Sequence, residues 1–95
     1  SEGNASVYYN RGTAYTQKGE LDKAIDDFNK VIEINPNDPK AYLNKAVLLD
    51  NSGKIADAIE AYRYFIKYAH ANHKKRIDLA RDRIKFLEKD LRVLD

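Results

Sequence analysis

The chain repeats itself. Tyr8, Asn10, Gly19, Ala24, Ile25 and Ile32 recur as Tyr42, Asn44, Gly53, Ala58, Ile59 and Ile66, each 34 residues on, so 7–38 and 41–72 read as two copies of one unit. Conservative pairs lie between these identities: Gly12/Ala46, Tyr15/Leu49, Leu21/Ile55 and Phe28/Tyr62. A period of this size marks a stack of supersecondary units, none of which buries its apolar face alone. Such a stack offers surface to a partner; it does not usually run a reaction.

Two glycines and one proline-rich stretch punctuate the units. Gly19 and Gly53 close the first and third helices, the place for residues that accept φ > 0. Asn35-Pro36-Asn37-Asp38-Pro39 stops the second helix and starts the third, with Asp38 as N-cap and Pro39 at the first helical position. The pattern predicts helices at about 5–18, 21–35, 39–51, 54–70 and 73–94. Tyr8, Gly12 and Tyr15 share the core face of the first, and Leu21, Ala24, Ile25, Phe28, Val31 and Ile32 that of the second. The small pairs Gly12/Ala46 and Ala24/Ala58 let paired helices approach closely, and the short turns make neighbours antiparallel.

These residues resemble the tetratricopeptide repeat family. Its pattern stands here as Tyr8-x-x-Arg11-Gly12-x-x-Tyr15, Ala24-x-x-x-Phe28 and Pro36. It returns as Tyr42-x-x-Lys45-Ala46-x-x-Leu49 and Ala58-x-x-x-Tyr62. Arg11 and Lys45 stand where the family often has leucine, Phe65 where it has a small residue, and His70 where a proline closes the repeat. The last two departures read as the end of an array. The resemblance implies an all-α superhelix of helical hairpins in one domain over 1–95: repeats at 5–38 and 39–72, then a capping helix at 73–95. It also implies a protein–protein interaction module, a scaffold or adaptor that takes an extended peptide or a partner helix in its concave groove.

That groove is lined by the first helix of each unit. Its candidate peptide-binding residues are Tyr9, Asn10, Thr13 and Gln17; Lys40, Leu43, Asn44, Val47 and Asn51; and Ile77 and Arg81. Tyr9, Leu43 and Val47 are apolar there without evident core duty, while Asn10 and Asn44, one unit apart, suit successive peptide groups of an extended ligand. Some family members clamp the acidic C-termini of chaperones with asparagine and basic residues on three successive helices. Asn10 and Lys40 match two such places, but Asn44 stands where an arginine is needed and no earlier helix supplies the rest. The clamp is incomplete, so chaperone binding by this chain alone is not expected.

The last helix carries two stripes. Ile77, Ala80, Ile84, Leu87, Leu91 and Leu94 alternate by three and four and should cap the stack. Leu79, Phe86 and Val93, seven apart, form a second stripe, and a helix with two apolar stripes expects two neighbours. They are the candidate homo-oligomer interface, a structural alternative to groove binding; a broad core face is the competing reading. Asn72 is the expected cap of this helix. The run His73-Lys74-Lys75-Arg76 follows it, positive charge that costs roughly 0.3–1 kcal/mol per exposed side chain at a helix N-terminus and that an anion or acidic peptide would relieve.

Charge is uneven: residues 1–39 carry four basic and seven acidic side chains, net −3, and the remainder carries 13 against eight, net +5. The basic residues of the last helix alternate with Asp78, Asp82, Glu88 and Asp90, which favours ion pairs along the helix over a continuous nucleic-acid track. Nucleic-acid or polyanion binding is therefore the weaker reading. The chain has no cysteine, its two histidines lack further ligands, and Asp26-Asp27 have no adjacent base or nucleophile. No enzyme activity, metal or cofactor is expected. No apolar run approaches the roughly 20 residues of a membrane span, and Ser1-Glu2-Gly3-Asn4 lacks a signal-peptide layout; a cytoplasmic protein without a membrane partner is the expectation.

Overall fold

The computed structural model describes residues 4–94, and side chains as far as Arg92. Within them the chain forms α1 (Ala5–Lys18), α2 (Leu21–Ile34), α3 (Pro39–Asn51), α4 (Ile55–Tyr68), a 3₁₀ turn (Ala71–His73) and α5 (Lys74–Leu94). Each helix packs on the next in sequence, giving two antiparallel hairpins with α5 laid against the second. Among the described residues no helix is long and apolar enough to cross a membrane.

The punctuation acts as local chemistry requires. The Asn4 side chain accepts from the Ser6 N–H at 3.0 Å, and Asp38 accepts from Lys40 N–H at 3.0 Å with Pro39 entering the helix behind it. Gly19 and Gly53 stand at φ +79° and +78°. After each, the next amide reaches back five residues, Glu20 to the Tyr15 carbonyl and Lys54 to the Leu49 carbonyl, both at 2.9 Å. The two hairpin turns are thus the same object built twice, and they satisfy helix-end carbonyls that would otherwise lack partners.

The core runs along the hairpins as Ala24, Phe28, Ala46, Ala58, Tyr62 and Phe65, and continues under α5 through Ala80, Ile84 and Leu87. Ala24, Ala46 and Ala58 are wholly buried, which lets the helix axes come close around the large rings. Gly12 is tighter still, since a Cβ there would stand 3.1 Å from the Phe28 ring.

Three sequence expectations shift. Tyr8 is half-buried rather than in the core, with the Arg11 guanidinium 5.7 Å from its ring centre. Its counterpart Tyr42 is buried, because α4 lays Tyr64 and Tyr68 over it with ring centres 5.1 and 5.6 Å away; α1 has no such neighbour on its outer side among the described residues. Tyr9, expected to be free, packs edge-on against Phe28 at 5.5 Å. Finally α4 ends at Tyr68, Ala69 and His70 run extended, and Asn72 lies inside the 3₁₀ turn instead of capping α5.

Candidate functional site

The first helix of each hairpin and α5 bound one trough. Between α1 and α3 it is a groove of roughly 390 Å³, walled by Thr13, Thr16 and Gln17 on one side and Leu43, Asn44, Val47 and Asn51 on the other, over Leu21 and Phe28. Between α3 and α5 it continues as a groove of roughly 340 Å³, with Leu43 and Val47 facing Arg76, Leu79, Ala80 and Arg83 above Tyr62. Leu43 and Val47 belong to both. Val47 is 41% exposed and Leu79 64%, so the seam carries apolar surface that the fold itself does not cover.

Of the sequence-predicted binding residues, Thr13, Gln17, Leu43, Asn44, Val47 and Asn51 meet in the first groove. Tyr9 and Lys40 sit further along α1 and α3, in a cleft of roughly 220 Å³ with Val31 and Asp38. Asn10 is exposed and lines neither groove. The Asn44 amide nitrogen donates to the Tyr9 hydroxyl at 3.0 Å, so one of its two polar groups already ties α3 to α1. Ile77 packs against the core, and Arg81 is exposed with a guanidinium nitrogen 3.9 Å from Asp78. On α5 the trough is instead built by Arg76, Leu79 and Arg83. The connections also differ: five residues (69–73) lead into α5 where four (35–38) lead into α3.

The trough merges two surfaces the sequence separates. Leu79, assigned to an oligomer stripe, lines the trough opposite Val47. Phe86 is 57% exposed, with the Arg83 guanidinium 5.0 Å over its ring. Val93 lies outside the described side chains.

A polar latch fixes the second groove. Asp50, whose side chain is only 8% exposed, accepts two hydrogen bonds from Arg83, Nε and Nη2 each at 2.7 Å, and one from the Tyr62 hydroxyl at 2.9 Å. Hydrogen bonding from Arg83 holds the Asp50 carboxyl below the usual carboxylate range, and burial together with the Asp50 bond pushes the Tyr62 hydroxyl well up. The latch joins α3, α4 and α5 at the trough wall. A second ion pair is structural: Arg11 grips Asp27 through Nε and Nη2 at 2.8 and 2.7 Å, and Asp27 is 3% exposed. The sequence reading gives Asp27 no adjacent base or nucleophile and assigns Asp50 no partner. Only the matched substitution one unit on, Lys45 with Ala61 for Arg11 with Asp27, could have signalled that pair. Among the described residues no three metal-ligating side chains come together.

Two tetratricopeptide repeat family models match the chain, one over residues 5–38 and the other over 28–60. The chain belongs to the tetratricopeptide repeat family. Such repeats generally mediate protein–protein interaction. An uncharacterized protein of Methanocaldococcus jannaschii is 39% identical over 72 residues, 75% of this chain and 84% of that protein. Human tetratricopeptide repeat protein 28 is 42% identical over 59 residues, 62% of this chain. A tetratricopeptide repeat and J domain-containing co-chaperone of Cryptococcus neoformans is 33% identical over 60 residues, 63% of this chain. This tetratricopeptide repeat chain spans only 2% and 12% of the length of the last two, so the matches concern the repeats and not those whole proteins.

Proposed function

We propose that the trough across α1, α3 and α5 binds a protein partner, as an extended peptide or a helix laid along it. The observation that carries this reading is the apolar seam of Leu43, Val47 and Leu79, which lies open at the meeting of two grooves and is flanked by polar groups able to fix a backbone. Family membership supports it, and so does the co-chaperone name of one relative.

The test is peptide display against residues 1–95, followed by Val47→Ser/Leu79→Ser on the selected peptides. Both side chains are exposed, so the melting temperature should hold while affinity falls about tenfold or more, the loss of two buried aliphatic contacts. Selected peptides that bind the variant as well as the parent would place the site elsewhere.

The exposure of Leu79 and Phe86 also favours a second reading, self-association through α5. Light scattering across a concentration series, with Phe86→Glu alongside, separates the two. A dimer that dissolves in the variant supports assembly, and a monomer throughout leaves the trough as the working surface.

A further inference from the structure

The α5 end of the trough has an uneven charge inventory. Its lining includes two arginines and no acid. Arg83 is neutralised by Asp50. Arg76 has no carboxylate within ion-pair distance among the described residues, and it stands beside the bare aliphatic surface of Val47 and Leu79. The lining of the α1 end, threonine, glutamine and asparagine over Leu21 and Phe28, has no charged side chain to balance it. A partner seated here meets an apolar slot with one uncompensated cation at its edge.

From this we infer that the α3–α5 groove takes an acidic amphipathic segment of another protein. One aliphatic or aromatic side chain enters between Leu43, Val47 and Leu79, and a neighbouring carboxylate pairs with Arg76. Desolvation by the apolar contact strengthens that pair, because a guanidinium–carboxylate bond at the edge of a dry slot is screened less than one in open water. A basic amphipathic segment gains the same apolar contact but meets Arg76 with like charge, and charge complementarity of this kind selects between partners. The inference rests on the trough being the binding face.

The probes are short fluorescein-labelled peptides of alternating leucine and glutamate, with analogues carrying lysine for glutamate or serine for leucine, read by fluorescence anisotropy at low and physiological salt. The leucine–glutamate peptide should bind at least about tenfold more tightly than either analogue. Arg76→Glu should remove that preference and invert it toward the lysine peptide, whereas Lys75→Glu, on the adjacent exposed side chain, should leave it in place. If lysine and glutamate peptides bind equally and Val47→Ser weakens both, the trough reading stands and the acidic partner is wrong. If the glutamate peptide binds but ignores both Arg76→Glu and Val47→Ser, both readings fall. Equal binding of the serine–glutamate peptide would reduce the site to a polyanion contact and overturn the inference, as would failure of all three probes. Circular dichroism of each variant guards against loss of fold.

Discussion

Arg83→Ala tests whether the latch holds α5 in place. The pair it breaks lies between two regimes. Removing one partner of a fully buried ion pair costs about 3–5 kcal/mol, whereas an exposed pair contributes about 0–1 kcal/mol. Asp50 is nearly buried, with 8% of its side chain exposed, but Arg83 is 43% exposed and its charge is partly screened. The expected cost is therefore about 1–2 kcal/mol, and Asp50 keeps its Tyr62 hydrogen bond. For a domain of this size each kcal/mol moves the melting temperature by about 4–8 °C, so the variant should melt roughly 5–15 °C lower. The assay is thermal and urea unfolding of Arg83→Ala, Asp50→Asn and the double variant. The pair should give a coupling energy of about 1 kcal/mol. Acid adds an independent check. Since Arg83 holds the Asp50 carboxyl below its usual value, the unfolded chain binds the extra proton first as pH falls past about 4. The stabilisation is complete above that pH and drains away below it, and Asp50→Asn should lack that part of the acid slope. Strict additivity of the two substitutions, or an acid slope unchanged by Asp50→Asn, would refute the argument.

Gly53→Ala should cost about 1–2 kcal/mol purely through its backbone, because φ is +78° and no atom lies within 4 Å of the new Cβ; Gly53→Asn should recover part of the melting temperature. Gly12→Ala should cost about 1–3 kcal/mol by overpacking, its Cβ arriving 3.1 Å from two Phe28 ring carbons. A melt in which Phe28→Leu relieves that loss in the same background would confirm the source. Phe65→Ala empties a side chain only 1% exposed and should cost about 3–5 kcal/mol in urea unfolding, a large share of the roughly 5–15 kcal/mol that holds a domain together.

The sequence revealed the framework because packing and turn geometry repeat with the chain. Gly19 and Gly53 announce identical turns, the alanines announce close helices, and the stripe from Ile77 to Leu91 is the one that α5 buries against α4. What it hid depended on phase. Helical periodicity locates α5 and its core side, but which flank of α5 closes the trough depends on how the helix is set down against α3 and α4, and no pattern within α5 encodes that. Arg83 is therefore absent from the sequence-predicted binding residues, Arg76 figures there only within the basic run that opens the helix, and Ile77, expected in both the core stripe and the groove, belongs to the core. The Asp50 latch was equally hidden, since its partners lie 12 and 33 residues away with no periodic relation.

The two copies differ along the trough as well as inside the fold. Along the trough and the adjoining cleft, Ser6, Tyr9, Thr13 and Gln17 of α1 become Lys40, Leu43, Val47 and Asn51 of α3, and Thr16 becomes the latch residue Asp50, while Asn10 recurs as Asn44 and the turn glycines and the buried Ala24/Ala58 pair are kept. A change of side-chain character at these positions alters what the trough offers a ligand from one wall to the next. The changes also have a direction. The α1 wall offers hydroxyls and an amide, the α3 wall sets Leu43 and Val47 beside the amides of Asn44 and Asn51, and the α5 wall adds Leu79 beside Arg76, which has no ion-pair partner among the described residues. On the proposed reading, a ligand lying along the trough matches it best with its polar end toward α1 and its apolar, acidic end toward α5. Reversing the order of polar and acidic-apolar halves in a bound peptide, at constant composition, should therefore weaken it by about tenfold or more, and equal affinity of the two orders would show that the walls do not act as a sequence-reading surface.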